Sequence, residues 1–259
     1  MEAKLALAVE NYEADPENAD AIIWLGRRLG YLGRYQEAIE TYSRGLALHP
    51  ADARLYRHRG HRFITTRQLD KAIADFATAV RLTDGTADQV EPDGLPNDRG
   101  IPTSTLQSNI WYHLGLAHYL MGDFDAALDA YRECLVVSKN SDMRVATSYW
   151  LYMTLRRLDR TSEAAGILEP IAPDLDIIEN HDYHRLLLLY RDDLSLAEIW
   201  PSSDDESISA TLGYGIGNWH LFKGRRSAAD EIFQRILQTD QWAAFGYLAA
   251  EAEVARQSR

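Results

Sequence analysis

The run from Ala19 to Pro50, ADAIIWLGRRLGYLGRYQEAIETYSRGLALHP, constrains the fold more than any other stretch of the chain. Apolar and small residues recur at helical spacing on both sides of a break, with Ile22, Leu25, Gly26 and Leu29 before it and Ala38, Ile39, Tyr42 and Leu46 after it. The break, Leu32-Gly33-Arg34-Tyr35, holds a glycine that can take the left-handed conformation at which helices stop. The pattern therefore predicts two helices joined by a tight turn. Gly26 and Ala38 let their backbones approach, Tyr42 fills the space beside them, and Pro50 lacks the amide needed to carry the second helix onward. A single hairpin cannot bury both of its faces, so similar hairpins must stack against it.

The same pattern recurs along the chain. A shift of 34 residues places Tyr56, Gly60, Phe63, Ala72, Phe76 and Ala79 on the slots of Ile22, Gly26, Leu29, Ala38, Tyr42 and Gly45. A third copy has Trp111, Leu114, Gly115, Ala127 and Tyr131 in the corresponding slots, and Leu120-Met121-Gly122-Asp123-Phe124 rebuilds the break. In these residues the chain resembles the tetratricopeptide-repeat family, whose pattern is a bulky residue, Leu-Gly, a turn, Ala, an aromatic, Ala and Pro. The resemblance implies an all-α fold, a right-handed superhelical solenoid of antiparallel helix hairpins. It also implies a scaffold that binds a protein or peptide segment, with no enzymatic activity.

Read in this register, residues 1–259 form one solenoid. Residues 1–18 are a half-repeat whose stripe of Leu5, Ala8, Val9 and Tyr12 lacks the preceding helix. Its outer face then calls either for a leader absent from this chain or for a second copy, making a homo-oligomer through the half-repeat. Repeats follow over about 19–52, 53–84, 108–141 and 145–178, then a degenerate one over 179–209 and another over 210–243. In the fourth, Tyr152 replaces the small residue and the break Leu158-Asp159-Arg160-Thr161 has no glycine. A closing helix spans 242–257, with its Glu and Arg residues expected on a polar outer face. Pro201 to Glu206 reads as a loop. Residues 85–107 are an insertion rich in Asp, Gly and Pro, and Ser104-x-x-Gln107 has the form of a capping box starting the next helix.

Charge limits the partners. The formal net charge is -12, which opposes broad attraction to nucleic acid or anionic membrane. No apolar run approaches the roughly 18 residues of a membrane-spanning helix. The compartment stays open, cytoplasmic or exported with a leader absent from this chain, because the single cysteine, Cys134, reads as an inert core thiol. No zinc, phosphate-loop, nucleophile-elbow or dinucleotide motif is present, and no cofactor or metal is called for. His58 and His61 are three apart, as are His181 and His184; the second pair reads as a polar helix end ahead of a metal site.

The family resemblance implies that the first helices of successive hairpins line a concave groove. Its inward slots fall on Arg27 and Tyr31, then on Arg54, Arg57 and His61, then on Asn109, Tyr112, Leu116 and Tyr119, with Tyr149, Met153, Arg156, Tyr214 and Asn218 further on. Residues 54, 57 and 61 also form one helical stripe by spacing alone. Such a groove is cationic at its N-terminal half and aromatic beyond, a match for an extended acidic peptide with an apolar anchor. The chaperone-tail clamp of the family uses Lys and Asn where this chain has Arg57 and His61, so that ligand does not fit. Two further readings stand beside this one. The basic stripe can be a plain solvated helix face, and the chain can be a self-assembling structural module with no peptide ligand. The insertion reads either as a solvated loop or, through Asp84, Asp88, Glu91, Asp93 and Asp98, as a tethered competitor for the groove.

Overall fold

The computed structural model describes residues 1–200 and 208–257. The predicted loop from Pro201 to Glu206 lies outside the described residues. The chain divides into two compact units, Met1–His118 and Tyr119–Arg259. Among the described residues the only extended pairing is an isolated antiparallel bridge between Val90 and Thr105; everything else regular is helical.

The first unit holds α1 (Glu2–Ala14), α2 (Ala19–Tyr31), α3 (Tyr35–Leu48), α4 (Ala53–Thr65), α5 (Leu69–Thr83) and the start of α6 (Leu106–Met121). Helix starts follow side-chain chemistry. Asn18 accepts the Asp20 and Ala21 amides at 2.9 and 3.1 Å, and Asp52 accepts the Arg54 amide at 3.0 Å, each satisfying an N-terminal donor that the helix leaves unpaired. Helix ends follow backbone chemistry: Gly33 takes φ +75° between α2 and α3, whereas Arg67 takes φ 60° between α4 and α5 with no glycine to ease it. The hairpins close on small-to-aromatic contacts. A Cβ on Gly26 would stand 2.4 Å from the Tyr42 ring, and one on Gly60 2.9 Å from Phe76. Leu5 and Ala8 of α1 are buried, with Leu5, Val9 and Tyr12 packed in the cluster built on Ile22, Leu25 and Tyr42. Leu7 on its other side is exposed.

The second unit continues with α7 (Phe124–Val137), α8 (Ser141–Arg157), α9 (Thr161–Leu168), α10 (His181–Tyr190), the single turn α11 (Leu196–Ile199), α12 (Ala210–Phe222), α13 (Arg226–Leu237) and α14 (Phe245–Gln257). Its core is aromatic, with Trp150, Tyr119, Tyr149, Tyr214 and Phe233 almost fully buried. The irregular stretch before α10 is tied to α8 by one buried carboxylate. Asp142 accepts the amides of Ile178, Glu179 and Asn180 at 2.8 to 2.9 Å. Tyr152, in the slot expected to be small, is accommodated by stacking on Tyr190, centroids 4.8 Å apart. The break after α8 closes with Asp159 at φ 56°. Cys134 is buried beside Thr147 Oγ1 at 3.2 Å, and burial pushes its thiol up to about 11, so it stays protonated at neutral pH.

Two local expectations are corrected. Helix α6 is started by Thr105 rather than Ser104: the Ser108 amide donates to Thr105 Oγ1 at 3.2 Å while the Thr105 amide donates to Ser108 Oγ at 2.9 Å. Thr105 sits at the bridge with Val90, so its backbone is already placed where the cap is needed. Glu253 of α14, expected on an outer face, points inward and is only 5% exposed, because two arginines meet it there.

Candidate functional site

The basic stripe of α4 faces the insertion. Residues 88–105 form a strap that leaves α5, crosses α2 and α4, and returns to α6. Its base is closed by the Val90–Thr105 bridge, with the Glu91 amide on the Ser104 carbonyl at 3.2 Å and the Leu106 amide on the Gln89 carbonyl at 2.8 Å. Asp88 accepts the Gln107 amide at 3.0 Å. Further along, the Gly94 carbonyl accepts from Arg28 at 2.7 Å. Gly94 also lies so close to Tyr31 that a Cβ there would overlap the ring. Any larger residue would lift the strap away.

Glu91 is the acid that the stripe takes. Its Oε2 stands 2.9 Å from Arg57 Nε and accepts from Asn109 Nδ2 at 3.1 Å. The Arg57 Nε–H is not aligned on the carboxylate, so that contact is ionic and leaves the donor without a hydrogen bond. Arg57 is only 8% exposed, which places the pair in a medium where Coulomb attraction is much stronger than in water.

Beneath the strap is a cavity of about 200 Å³. Arg27, Arg57, Arg62, His58 and His61 line it from the helices, Glu91, Asp93 and Gly94 from the strap. His61 faces His113 of α6, ring centroids 4.5 Å apart. All three imidazoles have pKa values well below the ordinary one, burial being the main cause and neighbouring guanidiniums the next: Arg57 for His58 and His113, Arg62 for His61. They are therefore neutral at pH 7. A larger open depression of about 470 Å³ lies by the strap's base, lined in part by Arg54, Asp88 and Gln107.

The expected groove residues divide between the two units. Arg27 and Arg57 are buried in the wall under the strap, Tyr31 and His61 line the same cavity, and Asn109 holds the strap. Tyr112 is buried edge-on to His113. Arg54 is committed elsewhere, to Asp52 at 2.6 Å and Asp20 at 2.5 Å, and its pKa is raised, first by the hydrogen bond to Asp52. In the second unit, Tyr119, Tyr149, Tyr214 and Asn218 are interior residues, not an open wall. Tyr119 and Tyr214 share a hydroxyl hydrogen bond of 2.8 Å, Tyr214 donates to Glu253 at 3.0 Å, and Asn218 accepts from Arg157. Leu116 and Met153 are fully buried as well. Arg156 lies over the Phe222 ring at 4.4 Å and donates to Tyr152 at 2.9 Å. Aromatic slots are the ones a protein interior fills first, and here the neighbouring helices supply the rings that cover them.

Three contributors were not anticipated as site residues. Glu91 is one acid among five in or beside the insertion, and nothing in its spacing singles it out. Gly94 and Arg62 were missed too. Arg62 is four residues after His58, so the same helical spacing that links 54, 57 and 61 links it to His58 on an adjacent stripe. The His181/His184 pair is split: His184 is buried with Nε2 at 2.9 Å from the Ala172 carbonyl. Among the described residues no group of three or more His, Cys, Asp or Glu side chains stands where it could hold a metal ion.

Paired antiparallel helices, closed on small-to-aromatic contacts and repeated along the chain, define a helical-repeat protein of the scaffold class. Tetratricopeptide-repeat models match residues 23–87 and 108–141, and these stretches are tetratricopeptide repeats. Its fold is similar to that of a tetratricopeptide repeat protein from Parabacteroides merdae, at 16% identity and TM-score 0.53 over 95% of this chain and 89% of that one. It is also similar to pilF of Pseudomonas aeruginosa, at 15% identity and TM-score 0.50 over 97% and 96% of the two chains. Comparison with curated proteins finds no match. Proteins of this fold are in general protein–protein interaction scaffolds and typically non-enzymatic. Among the described residues no helix is long and apolar enough to cross a membrane.

Proposed function

We propose that the first unit is a non-enzymatic docking site for an extended acidic segment of a partner protein, and that residues 88–104 hold this place when the partner is absent. One observation carries the reading. The chain's own extended segment lies on the helix face with a carboxylate, Glu91, between Arg57 and Asn109, while its backbone is read by Arg28 at Gly94. A face that orders an acidic strand of its own can order one supplied in trans through the same chemistry: guanidinium to carboxylate, side-chain amide to carboxylate, and guanidinium to backbone carbonyl. Tethering sets the competition, because a segment joined at both ends acts at millimolar effective concentration and an incoming ligand must displace it.

The test uses the strap as its own probe. A labelled peptide of residues 87–96, ADQVEPDGLP, is titrated against the full chain and against a variant in which residues 86–101 are replaced by a glycine-serine linker. The variant should bind at least about tenfold more tightly, and the peptide with Glu91→Gln should bind it more weakly. Equal or weaker binding by a variant whose circular dichroism remains helical would rule the reading out.

A further inference from the structure

The cavity beneath the strap is short of negative charge. Arg57 faces Glu91, but Arg27 and Arg62 make no ion pair among the described residues. Arg27, 9% exposed, donates to the Tyr31 hydroxyl at 3.3 Å and lies over the Trp24 ring at 4.5 Å. Arg62 lies over the Tyr35 ring at 5.4 Å. It is seated by the absence of a side chain on Gly30, where a Cβ would stand 3.1 Å from its terminal nitrogen. Glu91 and Asp93 also line the cavity, so three guanidiniums face two carboxylates there and the lining keeps an excess of positive charge. The three guanidiniums are near neighbours, since all act electrostatically on Tyr42 and on His58.

Charges withdrawn from water are retained at a cost unless a counter-charge meets them. A ring face offsets part of that cost for a guanidinium, though less than an anion does. Burial accordingly lowers the Arg62 pKa. The space in front of these groups is about 200 Å³, room for a tetrahedral oxyanion together with water. A carboxylate offers two oxygens, whereas a tetrahedral oxyanion offers four and can meet more than one guanidinium fork at once.

We propose that the cavity formed by α2, α4 and the strap is a binding site for a phosphate-class oxyanion held by Arg27, Arg57 and Arg62. The site is present with the strap in place, so it does not depend on displacement of the strap by a peptide. Glu91 is its internal opponent, because its carboxylate already draws on Arg57. The phosphate is either free or carried as a monoester on a side chain, and both present the same terminal oxygens.

The experiment titrates the whole chain with inorganic phosphate and, separately, with O-phosphoserine, by calorimetry and by imidazole NMR signals of His58, His61 and His113. Sodium chloride of equal ionic strength is the reference. Saturable binding that shifts the His58 and His61 signals beyond the chloride reference is expected. Arg62→Gln and Arg27→Gln should each weaken it about tenfold, and Glu91→Gln should tighten it. Binding of both probes identifies a phosphorylated side chain as an admissible source, and binding of inorganic phosphate alone identifies the free anion. The proposal is overturned if phosphate acts no differently from chloride on the unaltered protein. Unchanged affinity in both arginine variants, each with native helicity, overturns it equally. Failure of the peptide titration described above leaves these outcomes untouched.

Discussion

Glu253 shows how much rests on single side chains in the second unit. One of its oxygens meets Arg157 at 2.7 Å, Arg256 at 2.8 Å and the Tyr214 hydroxyl at 3.0 Å, and Arg157 also reaches Tyr119 at 3.4 Å. Removing the carboxylate would leave the buried Arg157 without its counter-charge and take away the acceptor of the Tyr214 hydroxyl. Glu253→Ala should therefore cost about 3 to 5 kcal/mol of stability, read as a fall in the urea midpoint with an unchanged slope. A loss below about 1 kcal/mol would mean that water replaces the carboxylate. The neighbouring aromatics explain why these positions were read differently from sequence. Tyr119, Tyr214 and Asn218 sit on the slots that the repeat assigns to a groove. Whether such a slot meets solvent or another ring depends on the volumes of helices that lie 95 residues away in the chain, and no local spacing encodes that.

At the scale of the helix hairpin, the turns separate what was legible from what was not. Gly33, Gly122 and Gly224 all take positive φ, between +74° and +88°, as the recurring glycine implies. The fourth break lacks that glycine and still closes in the same way, with Asp159 at φ 56° and the Arg160 amide returning to the Leu155 carbonyl at 2.9 Å. A β-carbon in this conformation costs about 1 to 2 kcal/mol, and Asp159 is exposed, with no side-chain hydrogen bond or ion pair among the described residues to offset it. Asp159→Gly should raise stability by about 0.5 to 1 kcal/mol, the gain being reduced by the greater freedom of glycine in the unfolded chain. Thermal unfolding checks this, and a lowered midpoint would show that the turn is held by something other than backbone preference. The insertion could not be resolved this way. Its Asp, Gly and Pro content announces turns, but its path is set by a bridge between its own two ends and by a cap and a carboxylate that pair with residues outside it.

For the molecule as a whole, acid should act on the first unit through its buried imidazoles. His58 and His113 have folded pKa values well below the ordinary one of about 6.5. Arg27, Arg57 and Arg62 add to the effect of burial at His58, and Glu91 Oε1, 3.9 Å away, opposes it without reversing the shift. The unfolded chain then binds more protons than the folded one, so stability rises with pH. It is complete above about 6.5 and is lost progressively as pH falls from there through the folded values. Hydrogen exchange, corrected for intrinsic rates, should show α4 and the start of α6 less protected at pH 5 than at pH 7. Replacing His113 with Gln should flatten that dependence. Equal protection at both pH values would place the histidines in contact with water. Sequence alone established the paired helices, their turns and the basic stripe of α4, because helical periodicity and a left-handed stop are written in residues three or four apart. Only tertiary structure decided which of those cations meet a carboxylate, which face a cavity and which aromatics vanish into a core, because those outcomes depend on partners brought together by packing across long stretches of chain.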